Sequence, residues 1–248
     1  VSETLGVRIA VLSDIHANLV ALDTVLAAIG AVDRVWHLGD IVGYGPEPDA
    51  VVDRLRELAA VGVRGNHDVA ALGGPEIDQF NIDARRAMEW TRKAIGPTTR
   101  RWLETLPERL TEGDFTLVHG SPRDPIWEYV TTAPVARRNL EALDTPWCLH
   151  GHTHLPSVFR DHDGLVEMLG PSDGSILALD RRRLLANPGS VGQPRDGDPR
   201  ASALVLDLEP GRVTLAWHRV AYDIEATQAM MRRLRLPDRL VERLSYGL

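Results

Sequence analysis

Apolar positions near the amino terminus fall in short β-branched runs separated by stretches of helical spacing. Residues 7–12 read VRIAVL, a continuous run of the kind found in a strand buried on both faces. The run ends at Ser13-Asp14. Asn18 then offers an N-cap, and Leu19, Leu22, Val25, Leu26 and Ile29 recur at helical spacing until Gly30. Residues 34–38 predict a second strand, 49–60 a second helix and 61–64 a third strand. Strand and helix alternating with such short connections predict parallel strands with helices packed on the sheet. Polar residues just past the carboxyl ends of these strands converge on one rim, where α/β proteins bind ligands.

The middle of the chain is more helical. Residues 81–95, 98–106 and 134–143 predict helices, with Pro97, Pro107 and Pro146 between them and Pro134 in a first turn. Residues 115–118 predict a strand running into His119-Gly120, and 147–149 another running into His150-Gly151-His152. Beyond residue 155 the pattern changes to strands at 157–160, 175–180, 203–208 and 213–218, separated by Asp-Gly, Asn-Pro-Gly and Glu-Pro-Gly turns. This predicts a second, largely antiparallel sheet. Residues 223–234 and 237–244 are helical, and their arginines read as a solvated face.

Composition narrows the picture. With 248 residues, 44% hydrophobic and 25% charged, wholesale disorder, collagen-like repeats and disulfide scaffolds are excluded. Without a tandem repeat or a low-complexity tract, residues 1–248 are expected to form a single domain. The one cysteine, Cys148, has no partner for a bridge and is expected to be a buried, inert thiol in a reducing compartment. No apolar run approaches the roughly 18–20 residues of a membrane-spanning helix, and no signal-peptide apolar region opens the chain. The expectation is a cytoplasmic protein without membrane contact. A formal net charge of −7 argues against field-driven binding of nucleic acid polymers, but not against a local arginine cluster around a small phosphate.

The chemistry lies in five segments that each follow a predicted strand and end in metal-ligand residue types. They are Asp14-x-His16, Gly39-Asp40, Gly65-Asn66-His67-Asp68, His119-Gly120 and Gly151-His152-Thr153-His154. One such segment means little, since a single histidine after a strand is more often structural. Five at successive strand ends fall on one rim. Their oxygens and nitrogens, with no thiolate, suit Mn, Fe, Zn, Ni or Co. Gly39, Gly65, Gly120 and Gly151 adjoin these positions, where the backbone must turn sharply.

Taken in order, D-x-H, G-D, G-N-H-D, H-G and G-H-T-H resemble the signature of the calcineurin-like metallophosphoesterases. Asn187-Pro188-Gly189-Ser190 extends the likeness toward the small prokaryotic phosphodiesterase branch. The resemblance implies an α/β fold, a four-layer α-β-β-α sandwich of two mixed sheets flanked by helices. It implies two divalent transition-metal ions, manganese favoured, with Asp14, His16 and His154 holding the first and Asn66, His119 and His152 the second. Asp40 would bridge them, because neighbouring cations repel and a shared carboxylate is the simple remedy. A solvent molecule between the ions would lose a proton near neutral pH and attack phosphorus in line with the departing alcohol. His67 would face the phosphoryl group, protonating the leaving oxygen or stabilising its charge.

The chain departs from the protein Ser/Thr phosphatase branch, whose second motif reads G-D-x-x-D-R-G. Here the residues are Gly39-Asp40-Ile41-Val42-Gly43-Tyr44-Gly45, without the later Asp that supports the catalytic histidine or the Arg that grips phosphate. What orients His67 is left open, since Asp68, the next residue, is expected to face elsewhere. Three residues are candidates for holding substrate: Tyr44, beside Asp40, and Arg195 and Arg200 in the loop after the Asn-Pro-Gly-Ser turn. Guanidinium groups suit bidentate phosphate binding, although pairing with Asp196 and Asp198 would occupy the two arginines. His37 is expected to be packed in the core, His162 to be exposed, and His150 to lie beside the site at most. The implied activity is hydrolysis of a small-molecule phosphodiester or phosphomonoester. A phosphoprotein phosphatase or a dinucleoside polyphosphate hydrolase would use the same residues. A non-catalytic phosphate-binding scaffold is the rival from another class, against which the complete ligand set and His67 speak.

Overall fold

The computed structural model describes residues 6–74 and 80–248. In the first of two six-stranded sheets, β1 (Val7–Leu12), β2 (Arg34–His37) and β3 (Val61–Gly62) pair in parallel. On its other side β1 pairs antiparallel with β11 (Ala201–Glu209), followed by β12 (Arg212–Val220) and β9 (Ile176–Ala178). The second sheet runs in the order β4 (Arg109–Glu112), β5 (Phe115–Val118), β6 (Trp147–Leu149), β10 (Leu184–Asn187), β7 (Ser157–His162), β8 (Leu165–Leu169). Its inner pairs, β5 with β6 and β6 with β10, are parallel, and the outer ones antiparallel. Both sheets are mixed, as the resemblance implies.

The strands beyond residue 155 do not form a sheet of their own. Three complete the first sheet and three the second. The reason shows in β11, which is apolar on both faces and therefore fits a central position beside β1 rather than a half-exposed meander. Its Leu204 and Leu206 join Ile9, Val11, Trp36, Leu117 and Leu149 between the two sheets, whereas Ala203 and Val205 join Ala10 and Leu12 beneath the helices. Four elements have no counterpart in the sequence pattern: β4, β8, β10 and the short helix α3 (Asn66–Ala71).

The outer face of the first sheet is covered by α1 (Leu19–Ile29), α2 (Pro48–Glu57), α4 (Ile82–Ala94) and α5 (Pro97–Thr105), which share its apolar cluster. Asn18 caps α1 as expected, its side-chain oxygen accepting the Ala21 N–H at 3.1 Å. Pro97 opens α5 at a position where no N–H is needed, so it starts the helix rather than preceding it. The second sheet is covered by α6 (Ala133–Glu141), packed over Val118, Cys148, Phe159 and Leu185. Finally α7 (Ile224–Arg233), α8 (Asp238–Glu242) and a 3-10 turn (Arg243–Ser245) return the chain to α4 and Tyr44. Cys148 is fully buried, and burial pushes its thiol up, out of the reactive range. Among the described residues no helix is long and apolar enough to cross a membrane.

Candidate metal centre and cleft

The strand ends set the five motifs side by side. Asp14 and His16 follow β1, Asp40 follows β2, Asn66 and His67 open α3 after β3, His119 follows β5, and His152 and His154 follow β6. All are buried. The backbone there is strained: Asp14, His16, Asp40, Tyr44, His152 and His154 have φ between +49° and +66°, at about 1–2 kcal/mol each for a residue with a β-carbon. Hydrogen bonds between loops hold them in place. Asp14 N–H donates to the Gly39 carbonyl at 3.1 Å, His16 N–H to Asp40 at 2.9 Å, and Gly192 N–H to Asp14 at 3.0 Å. Strain clustered in this way persists only where the surroundings over-determine it, and it marks functional sites. Gly65 is needed for close approach, because a β-carbon there would strike the Asp40 carboxylate.

The side chains form two groups. Asp14, His16, Asp40 and His154 offer ligand atoms within 4.8 Å of one another, and so do Asp40, His119 and His152. The Asn66 side-chain oxygen adjoins the second group, 3.0 Å from His119 Nε2. Asp40 belongs to both. Its Oδ2 lies 3.6 Å from His16 Nε2 and its Oδ1 3.4 Å from His119 Nε2.

Each histidine is oriented from behind by a backbone carbonyl, which can only accept, so the ring nitrogen facing it carries the proton. His16 Nδ1 faces Val42 at 3.3 Å, His154 Nδ1 faces Gln193 at 2.6 Å, His119 Nδ1 faces Leu38 at 2.8 Å and His152 Nε2 faces Trp127 at 3.2 Å. In the first group this leaves His16 Nε2 and His154 Nε2 as bare acceptors 3.2 Å apart. Asp14 Oδ2 is satisfied by Ser13 Oγ–H and His152 N–H. Its Oδ1, 3.2 Å from His154 Nε2, has no hydrogen-bond partner among the described residues. Burial holds both rings well below the usual histidine range, and pushes Asp14 up to about 7. Three converging lone-pair donors, two of them bare nitrogens 3.2 Å apart, fit a cation.

The second group carries its own positive charge. Burial opposes protonation of His119, but the Asp40 carboxylate outweighs it and raises the imidazole to about 9. Asp40 itself is held well below the usual carboxylate range, burial being outweighed by His119 and His67. A proton held between such groups is what a divalent cation displaces on binding.

His67 stands apart from the ligand groups. Its ring packs on Tyr44, Phe80 and His16, with centroids 4.3, 4.7 and 4.8 Å away. Gly43, at φ +90°, leaves the necessary room: a β-carbon there would lie 2.5 Å from His67 Nδ1. Ring packing, not a carboxylate, thus sets this side chain, which answers what replaces the missing Asp. Burial takes His67 down to about 4, so it is a neutral N–H donor. Asp68 instead grips the loop that carries Asp40, accepting from Ile41 and Val42 N–H at 2.9 and 3.1 Å and from Gly65 N–H at 2.9 Å. Asn187 does the same for the Gly151–His154 loop through the Gly151 carbonyl and Thr153.

Above these groups opens a cleft of about 420 Å³. Tyr44 and Arg195 line it, together with Asn66, His67 and His152. Arg200 does not. It is held bidentate by Asp198 and reaches Asp173 at 3.0 Å, while Asp196 is engaged by Arg219. The acid-rich loop that suggested a phosphate site consumes this arginine. In its place stands Arg243, from the tail read as a solvated face, and the remaining wall comes from Phe80, Trp127 and Tyr129. None of these four sits in a recognisable spacing. Only an arginine flanked by the buried Val241 and Leu244 hinted that the tail packs.

Two facing mixed sheets with paired Asp, Asn and His groups at their strand ends define an α/β protein with a candidate metal centre. Residues 7–211 match the calcineurin-like phosphoesterase superfamily domain. A metallophosphoesterase from Sphaerobacter thermophilus superposes with a TM-score of 0.90 at 47% identity, covering 98% of this chain and 100% of its own. An uncharacterized protein of Methanocaldococcus jannaschii is 37% identical over 96% of this chain and 98% of its own. A symmetrical bis(5'-nucleosyl)-tetraphosphatase of Aromatoleum aromaticum is 30% identical over 52% of this chain and 50% of its own. The chain belongs to the calcineurin-like phosphoesterase superfamily, and it is a hydrolase acting on phosphoester bonds.

Proposed function

We propose that the chain hydrolyses small-molecule phosphoesters with two divalent transition-metal ions, Asp14, His16 and His154 holding one, Asn66, His119 and His152 the other, and Asp40 bridging. One observation carries this reading: the two oxygens of Asp40 face different ligand groups, and in the first of them bare nitrogens stand 3.2 Å apart. When bound, the cations supply a water nucleophile active near neutral pH and neutralise the phosphoryl oxygens. The carbonyls of Val42, Gln193, Leu38 and Trp127 keep each imidazole turned with its lone pair inward. His67 donates its N–H to the leaving oxygen as the P–O bond breaks, stabilising the charge that develops there. A cleft of about 420 Å³ suits a small molecule. A matched relative is named for a dinucleoside tetraphosphate, which favours small anionic esters over phosphoproteins. The test is turnover of bis(4-nitrophenyl) phosphate and 4-nitrophenyl phosphate with added Mn²⁺, Co²⁺, Ni²⁺ or Zn²⁺. The expected result is hydrolysis that a chelator abolishes. Turnover of neither ester with any of the four metals contradicts the proposal.

A further inference from the structure

The cleft wall holds more positive charge than the structure neutralises. Arg243 lies with its guanidinium carbon 4.8 Å from the centre of the Tyr44 ring, and Arg195 lies 5.9 Å from the same ring and donates to the Tyr44 hydroxyl at 3.4 Å. Arg243 also donates to the side-chain oxygen of Gln193, whose backbone carbonyl orients His154. Neither guanidinium takes part in an ion pair with a carboxylate among the described residues, although the other arginines of this region, Arg200 and Arg219, do. The Nε atoms of both Arg195 and Arg243 are buried without a hydrogen-bond partner there. Arg243 is mostly buried, and burial together with repulsion from Arg195 draws it down to about 10, so it keeps its charge at neutral pH. With cations bound in the two ligand groups, Asp14 and Asp40 on the floor are taken up by them and do not neutralise the pair.

Two neighbouring guanidiniums, recessed, aimed into a cleft and uncompensated, fit an anion. We infer that Arg195 and Arg243 form a subsite for a second phosphate group of the substrate, one that is not cleaved. Tyr44 adjoins both groups: its ring centre lies 4.3 Å from that of His67, and the guanidinium carbons of Arg243 and Arg195 lie 4.8 and 5.9 Å from it. A small molecule carrying two phosphate groups can place one at His67 and offer the other to the arginines. The preferred substrate class is therefore a bisphosphate or polyphosphate ester over a phosphoester with a single charged group. This deepens the proposed function and rests on it for the place where the cleaved phosphate sits.

The test compares a matched pair, adenosine 3′,5′-bisphosphate and adenosine 5′-monophosphate, on the Mn²⁺-loaded enzyme. Expected is at least a tenfold preference for the bisphosphate in kcat/KM, carried mainly by KM. Arg243→Gln and Arg195→Gln should each reduce that preference toward one, with Arg243→Lys intermediate, while Arg200→Gln keeps it. A wild-type preference near one, or one that survives both glutamine variants, overturns the inference. Calorimetric titration of the Mn²⁺-loaded protein with inorganic pyrophosphate, with Asp14 and Asp40 taken up by the cations, gives a readout independent of ester turnover. Wild type should bind, in a salt-dependent manner, at least tenfold more tightly than folded Arg243→Gln. Equal binding, or none in wild type, overturns the subsite even if hydrolysis is observed. Binding lost in the variant, with no ester hydrolysed by wild type, sinks the proposed activity and leaves the subsite standing.

Discussion

The floor and the wall of the cleft are built by different means. On the floor, Asp14, His16, Asp40, His152 and His154 sit on strand ends with strained backbone, locked by loop-to-loop hydrogen bonds and by carbonyls behind each ring. On the wall, Tyr44, Phe80, Trp127, Tyr129, Arg195 and Arg243 come from loops and from the carboxy-terminal turn, and side-chain packing holds them. Tyr129 is half exposed, at 51%, whereas every floor residue is at most 5% exposed. Under the proposed function the floor specifies the chemistry, and the wall is where substrate choice can vary without disturbing the sheets.

That contrast predicts how substitutions rank. Asp40→Ala should have the largest effect, a loss of about 10⁴-fold or more in kcat/KM with Mn²⁺ content falling too, because both ligand groups lose their shared member. A variant with unchanged metal content and activity would dissolve the distinction between floor and wall. His67→Ala should retain metal yet lose about 10²–10⁴-fold in kcat, the range of a positioned proton donor. Loss of metal in that variant would make His67 part of the floor. Gly43→Ala touches neither a ligand group nor the wall directly, but pushes on His67. It should cost roughly 10²-fold in kcat, as small misplacements do, with metal content intact, and wild-type kcat would show that ring packing does not position His67.

The smallest effect concerns stability. His37 is fully buried beside Trp102 and away from the ligand groups, and burial lowers it to about 4. The unfolded chain takes up this proton near pH 6.5, while the folded protein refuses it until about pH 4. Stability is therefore unaffected above pH 6.5 and falls as pH drops through that window, by about 3 kcal/mol. Urea unfolding of wild type and His37→Gln at pH 7 and pH 4.5 isolates the contribution. The variant should lose less stability between the two pH values, and equal losses would show that His37 is not the residue responsible.

The floor was legible from the chain because its residues are tied to strand ends. A strand fixes where the next two or three side chains fall, so Asp14-x-His16 and Gly151-His152-Thr153-His154 already contain their geometry. The sheet order was less legible. Local pattern shows that β11 is apolar on both faces, but not that β1 is its neighbour, since pairing is decided by contacts distant in sequence. The wall was hardest to read. Arg200 stood in a suggestive loop, yet Asp198 and Asp173 claim it, whereas Arg243 reaches the cleft only because α7 and α8 fold back on α4 and Tyr44. Residues brought together by tertiary packing alone leave no spacing to find.

The most direct test of the two-ion floor is anomalous diffraction from crystals soaked in Mn²⁺. Two peaks are expected, one among Asp14, His16 and His154 and the other among Asn66, His119 and His152, with the Asp40 carboxylate between them. A single peak, or peaks away from Asp40, would contradict it.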